Sequence, residues 1–238
     1  MSTQVIVPTH NGYGWTSDEP NQITREWLKF LNQECGGNLR ALDIGAGWGV
    51  ATIPGLQTGA TIIANDLDDF HLQAIRDQAV NLGLANRLET VAARFPVDFN
   101  FADLDSIHCS NMLHFLRGEE IVLGAKLMHK WLRRGGKVFI QVGTIFAGHI
   151  TQFLPVFEER RRNGILWAGE TDQAKKYVTN EFSEATPAFM NYLDARPLIS
   201  AFETAGFRTE MAHYYTRTGC PKPFICDGRE HFGIILLK

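Results

Sequence analysis

Short apolar runs alternate along this chain with stretches in which apolar residues recur every three or four positions. That exchange marks buried strands alternating with amphipathic helices. Runs at 39–44, 61–66, 88–92, 105–110 and 136–142 predict five strands. Ahead of them, Ile23, Trp27, Phe30 and Leu31 share one helical face, with Ser17 or Asp18 as cap and Pro20 in the first turn. After Asp66, a helix capped by Asp68 or Asp69 carries the stripe Leu72, Ile75, Ala79 and Leu82 and stops at Gly83. Ile121, Ala125, Met128 and Leu132 define another, closed by Arg133-Arg134-Gly135, where cations and a glycine suit the negative end of a helix. Pro197, Leu198, Phe202, Ala205 and Gly206 mark a short last helix, and 207–215 and 231–237 read as two final strands that pair like a hairpin. Strands separated by helices specify an α/β fold built on a mostly parallel sheet.

The first of these strands ends Asp43-Ile44-Gly45-Ala46-Gly47-Trp48-Gly49, and the second ends in Asp66, about 20 residues further on. Glycines lack a Cβ, so the backbone can turn sharply and let a ligand approach its N–H groups. A dinucleotide fold wants its third glycine, or an alanine, at position 50, where this chain has Val50; here that glycine comes one residue early, at Gly49. Asp43 would also set a carboxylate near a pyrophosphate, so a cationic nucleoside suits the bend better.

Asp43, Gly45, Gly47 and Gly49 match D-x-G-x-G-x-G, and at this point the segment resembles the class I S-adenosylmethionine-dependent methyltransferases. The resemblance implies S-adenosylmethionine as cofactor. Asp43 would lie near its methionine part, Gly45, Ala46 and Gly47 beneath it, and Asp66 would accept hydrogen bonds from both ribose hydroxyls. It also implies a Rossmann-like seven-stranded, mostly parallel sheet with an antiparallel last strand and helices on both faces. The segments 132–138 and 110–116 are similar to the family's turn before the fifth strand and its segment after the fourth. Where many members carry an acid for the adenine amino group, this chain has Val91-Ala92-Ala93-Arg94-Phe95-Pro96. Adenine recognition is then left to the backbone at Ala93 and Arg94, to stacking on Leu67 or Phe95, or to Asp98 or Asp103.

Residues 143–195 are longer than a connection between a strand and the next helix requires. They hold Phe146, Phe153, Phe157, Trp167, Tyr177, Phe182, Phe189 and Tyr192. Ile150, Phe153, Leu154 and Phe157 have helical spacing, with Pro155 in the first turn or at a kink. This helical insert after the fifth strand reads as a lid over the sheet edge where open α/β folds bind ligands. Each aromatic taken singly is better explained as fastening the insert to the core. The expected organisation is one methyltransferase domain over 1–238: an N-terminal helical segment (1–36), a cofactor-binding core (37–142), the lid (143–195) and a C-terminal helix and strand pair (196–238).

A net charge of −3 gives no footprint for nucleic acid or an anionic membrane, and Arg160-Arg161-Arg162 after Glu158-Glu159 reads as a solvated helix face. The N-terminus has neither the basic nor the apolar stretch of a signal peptide, and the four cysteines lack C-x-x-C spacing, which together point to a cytoplasmic protein with reduced thiols. His213, Cys220, Cys226 and His231 fit no zinc pattern, so no metal is expected. Methyl transfer mainly requires alignment of acceptor and methyl group without water. A protonated oxygen or nitrogen acceptor benefits from a base. His114 and His149, following the fourth and fifth strands, are the candidates; His108, inside a strand, is weaker. Tyr13 and Trp15 could close over the cofactor, and Asn111 could present its amide to cofactor or acceptor. The expected activity is methyl transfer from S-adenosylmethionine to an oxygen or nitrogen of a small molecule. Alternatives are a protein acceptor, cofactor binding without turnover, and, least supported, a nicotinamide-dependent oxidoreductase.

Overall fold

The computed structural model describes residues 6–33, 39–98, 100–178 and 186–238. Its frame is one seven-stranded sheet. In chain order the elements are β1 (Ile6–Pro8), β2 (Trp15–Ser17), α1 (Gln22–Gln33), β3 (Arg40–Ile44), α2 (Thr52–Gln57), β4 (Thr61–Asp66), α3 (Asp69–Asn81), β5 (Leu88–Ala92), β6 (Leu104–Ser110) and α4 (Gly118–Trp131). There follow β7 (Leu132–Gly143), α5 (Leu154–Arg162), β8 (Glu170–Thr171), β9 (Met190–Asn191), α6 (Ala195–Thr204), β10 (Arg208–Tyr215) and β11 (His231–Leu237). The sheet order is β10-β11-β7-β6-β3-β4-β5. Strands β3 to β7 run parallel, and β11 lies antiparallel between β7 and β10. The C-terminal ends of five parallel strands and the start of β11 therefore share one edge of the sheet.

Side chains alternate across each strand, so one sequence run feeds two cores. Ala41, Ile62 and Phe139 join Ile23, Trp27 and Leu31 of α1 and Leu56 of α2 on one face. Leu42, Ile44, Ile63, Val138 and Ile140 join Ile121, Met128 and Trp131 of α4 and Leu198 and Phe202 of α6 on the other. The insert packs a cluster of its own from Ile145, Ile150, Phe153, Phe157 and Tyr192. Within it a 3-10 turn at Gly148–Phe153 leads into α5, whose first turn holds Pro155. Phe182 lies outside the described residues.

Four local expectations are corrected. The cap of α1 is Asn21, whose Oδ1 accepts from the Thr24 N–H at 3.0 Å, rather than Ser17 or Asp18, and Pro20 precedes the helix. Leu82 is exposed, and His71 takes the buried place on α3 that the apolar stripe left open, because its ring has hydrogen-bond partners inside. Helix α4 ends at Trp131, since Leu132 already pairs with Leu104 of β6. Residues 133–135 consequently begin β7: Arg133 pairs with Asp105, and Gly135, at φ +80°, donates its N–H to the Lys238 carbonyl. The small β1–β2 ribbon, antiparallel over Ile6–Pro8 and Trp15–Ser17, carried no sequence signal.

Phe153, with no exposure, centres the insert cluster. Phe153→Ala should cost about 3–5 kcal/mol in urea unfolding; a loss below about 1 kcal/mol would mean that the insert lacks a core.

Candidate active site

The site begins where β3 leaves the sheet. The N–H groups of Gly45 and Ala46 both donate to the Asn65 carbonyl at the end of β4, at 2.9 and 2.8 Å, and the Gly47 N–H donates to Asp66 Oδ2 at 2.8 Å. Gly45, Gly47 and Gly49 all have positive φ, at +72°, +52° and +82°, a region costly for residues with a Cβ. A Cβ on Gly45 would come within 2.9 Å of Met112, and one on Gly49 within 2.9 Å of Ile75. At Gly47 an added Cβ would meet no protein atom within 4 Å. Two glycines thus allow packing, and the middle one keeps the bend bare toward a cavity.

Both acids of the motif are held from beneath. Asp43, 1 % exposed, accepts from Thr52 Oγ1 at 2.7 Å through Oδ2 and pairs with His108 Nδ1 at 2.8 Å through Oδ1. His108 Nε2 meets Thr24 Oγ1 on α1 at 3.0 Å, and Trp27 stacks on the imidazole at 4.8 Å. Asp66 Oδ1 accepts from the Asp68 N–H at 2.9 Å and faces His71 Nδ1 at 3.2 Å. His71 Nε2 in turn accepts the His10 N–H at 3.0 Å, which assigns the His71 proton to Nδ1 and ties the N-terminal ribbon to the end of β4. Asn65 Nδ2 donates to the Val91 and Ala93 carbonyls at 3.0 and 2.9 Å and so fixes the loop after β5.

Two adjoining chambers open along this edge. The larger, about 440 Å³, is lined by Asp43, Gly45, Ala46, Gly47, Asp66, Leu67, Ala93, Arg94 and Asn111 together, with Phe95 and His108 also in its wall. Asp98 and Asp103 are not among its lining residues; Asp98 instead accepts from the Arg94 backbone N–H at 3.3 Å. Phe95 is nearly buried, with its ring against Gly124 and Trp131. Arg94 is half-exposed and pairs with Glu120 at 2.7 Å. Asn111 sits at φ +55°, a conformation asparagine tolerates better than most residues. It receives the Gln141 Nε2–H on its Oδ1 at 2.6 Å, so its own amide N–H₂ is the end left for a ligand.

The smaller chamber, about 140 Å³, is lined by His114, His149, His231, Tyr192, Thr144 and Glu230 among others. Tyr13, Trp15, Asn111, Phe115 and Arg217 line both chambers, so the two meet along them. His108 stays with the larger. Burial, with repulsion from His231, lowers the His114 pKa to about 4. Burial likewise brings His149 to about 3 and His231 to about 4, the latter helped by the Arg217 charge. All three are neutral imidazoles at pH 7. Tyr192, His231 and Arg217 are the members that sequence reading missed for this site. Tyr192 was one aromatic among many in the insert, and Arg217, between Thr216 and Thr218, belongs to no pattern; folding alone brings them to His114. Of the four residues weighed as zinc ligands, Cys220 and His231 line the smaller chamber and His213 and Cys226 do not; no group of three such side chains among the described residues could hold a metal.

A parallel sheet with a glycine bend between two acids, opening on a cavity at the C-terminal edge of its strands, is the architecture in which open α/β proteins seat a nucleoside. Residues 41–136 match the family model described as a methyltransferase domain. Among solved structures, an S-adenosylmethionine-dependent methyltransferase from Mesorhizobium loti is 16% identical with a TM-score of 0.63, over 91% of this chain and 98% of that one. The 1,6-didemethyltoxoflavin-N1-methyltransferase of Burkholderia thailandensis, with S-adenosylhomocysteine bound, is 16% identical at TM-score 0.59, over 91% and 78% of the two chains. The magnesium protoporphyrin IX methyltransferase of Synechocystis, also with S-adenosylhomocysteine, is 13% identical at 0.58, over 91% and 82%. A search of curated protein sequences found no match. Residues 41–136 thus match a methyltransferase domain, the solved neighbours share the fold of this chain, and two of them hold S-adenosylhomocysteine, which makes S-adenosylmethionine the group to test against this site. The residues fit that group: the bare Cβ side of Gly47 leaves room over the bend, and Asp43 and Asp66 set two carboxylates in the chamber wall for a sulfonium to face.

The buried histidines make stability depend on pH. Unfolded, each titrates near 6.5; folded, His114 and His231 titrate near 4 and His149 near 3. Between these values the unfolded chain binds protons that the folded chain does not, so stability falls as pH drops from about 6.5 to 4. Burial works to raise the Glu230 pKa, but hydrogen bonds from Thr216 and the backbone of Cys226 and Gly228 bring it to about 2, so its contribution is lost below about 4.5. Urea midpoints should decline from pH 7 to pH 5, and less steeply in His231→Gln. Equal midpoints in the wild type would mean that the imidazoles are solvated.

Proposed function

We propose that this protein transfers a methyl group from S-adenosylmethionine to an oxygen or nitrogen of a small-molecule acceptor held in the smaller chamber. The observation that carries the reading is the junction of the two chambers along Asn111 and Phe115, with His114 on the far side and the motif glycines on the near side. When bound, the cofactor supplies an electrophilic methyl group on a sulfonium whose leaving group is a neutral thioether. The chain's own part is to bind, orient and exclude water.

In this reading Asp66 receives the ribose hydroxyls, with its carboxylate aimed by His71 and the Gly47 N–H. Asp43, fixed by His108 and Thr52, supplies negative charge toward the methionine part. Gly45, Ala46 and Gly47 form the floor, Leu67 and the backbone at Ala93 and Arg94 flank the adenine, and the Asn111 amide faces the reacting groups. His114 and His149 meet the acceptor as neutral imidazoles. Their low pKa values make them weak bases, suited to orienting an acceptor or taking a proton that is already acidic. The insert 143–195 acts as the lid of a single domain. A chamber of about 140 Å³ suits a compact molecule better than a polypeptide segment. The toxoflavin and protoporphyrin enzymes, whose acceptors are small molecules, support the same reading. No helix among the described residues is long and apolar enough to cross a membrane, in keeping with action in the cytoplasm.

Asp66→Ala tests the cofactor half. Calorimetry should show S-adenosylhomocysteine binding to the wild type and at least about a tenfold loss of affinity in the variant, the scale of one charge-assisted hydrogen bond. A wild type that binds neither S-adenosylmethionine nor S-adenosylhomocysteine would overturn the proposal.

A further inference from the structure

The two chambers differ in their ionised lining groups. Glu19, Asp43 and Asp66 line the larger chamber together with Arg94 and Arg217, the last shared with the smaller one. In the smaller chamber the ionised lining groups are Arg217 and Glu230. Glu230 has no exposure and its carboxylate is fully engaged: Oε1 accepts the N–H groups of Cys226, Asp227 and Gly228 at 2.7, 2.8 and 2.9 Å, and Oε2 accepts the Thr216 hydroxyl at 2.6 Å. Arg217, by contrast, makes no side-chain hydrogen bond or ion pair among the described residues, and its Nε is buried without a partner. Asp18 and Tyr215 act on it only through space.

Three further polar atoms around the same chamber are buried without partners: His114 Nδ1, His231 Nδ1 and the Tyr192 hydroxyl. Buried polar atoms are almost always hydrogen-bonded, so four orphans on residues that line one chamber point to a ligand that completes them. Arg217 can only donate, and burial raises the Tyr192 pKa, which keeps its hydroxyl a donor. The imidazoles are uncharged and accommodate either role. Apolar contacts from Ile150, Val178 and Phe224 complete the wall.

We propose, resting on the reading of this chamber as the acceptor site, that the methyl acceptor is a compact organic anion, a carboxylic acid or acidic phenol, whose oxyanion is read by Arg217 and Tyr192. A protonated amine would meet an unpaired guanidinium and find no free carboxylate, which excludes it. The oxyanion's lone pair forms the new oxygen–carbon bond, the carbon–sulfur bond breaks, and its electron pair stays on sulfur. No proton has to be removed. Two opposite charges cancel in this step, which a water-poor chamber favours, and weakly basic histidines are then no handicap.

The test uses the full chain saturated with S-adenosylhomocysteine, titrated by calorimetry with benzoate, benzamide and benzylammonium. Benzoate should bind at least tenfold tighter than benzamide, and benzylammonium should not bind. Arg217→Gln should abolish the preference while changing S-adenosylhomocysteine affinity less than twofold. Arg217→Lys should keep part of it, and Tyr192→Phe should weaken benzoate several-fold. Absence of benzoate binding, equal binding of the three probes, or a preference untouched by Arg217→Gln overturns the proposal. So does a tenfold loss of S-adenosylhomocysteine affinity in Arg217→Gln, which would assign the guanidinium to the cofactor's carboxylate. Failure of the wild type to bind S-adenosylhomocysteine instead defeats the underlying reading of the site.

Discussion

Three backbone N–H groups knit the ends of two neighbouring strands together: Gly45 and Ala46 to the Asn65 carbonyl, and Gly47 to the Asp66 carboxylate. The rest of the site depends on this stitch. It forces the chain after β3 into left-handed backbone that only glycine adopts cheaply, and it sets both motif acids in the wall of one chamber. It also holds Asp66 as an oriented acceptor, which the proposed ribose contact would meet without having to order it. Orientation of this kind removes an entropic cost that binding would otherwise carry.

Around the stitch, histidines serve as struts. His108 joins Asp43 to Thr24 on α1 and lies against Trp27, so the first helix, the first core strand and the fourth are tied through one imidazole. His71 does the same between Asp66 and the ribbon at His10, and His10 stacks on Phe70 at 4.2 Å and pairs with Asp68 at 2.7 Å. A buried carboxylate without such partners would be costly. With them, each acid is fixed in direction and the ribbon bearing Tyr13 and Trp15 is held at the mouth of both chambers. Strand β4 and the N-terminal ribbon are therefore mechanically one unit.

Legibility in the sequence followed the range of the interactions. Strands with continuous apolar runs, such as 61–66 and 136–142, were readable because burial on both faces leaves a local mark. So was the bend, since Asp43, the glycines and Asp66 are tied to one another by spacing. The end of α4 was not readable: Arg133-Arg134-Gly135 has good helix-stop chemistry, but pairing of Leu132 with Leu104, 28 positions back, took the segment into β7. The cap of α1 was missed because Ser17, Asp18 and Asn21 are all capable acceptors, and only the position of Ser110, which accepts the Asn21 amide at 2.8 Å, favours Asn21. The smaller chamber was half legible. His114 and His149 follow strand ends and could be placed there; Tyr192, Arg217 and His231 come from three other elements and meet only in the folded chain.

A crystal structure of the protein with S-adenosylhomocysteine tests the central claim most directly. The account predicts the nucleoside over Gly45 to Gly47, its ribose hydroxyls within hydrogen-bonding distance of Asp66 and its amino-acid end toward Asp43. A ligand seated elsewhere on the sheet edge, or one with its ribose away from Asp66, would contradict it.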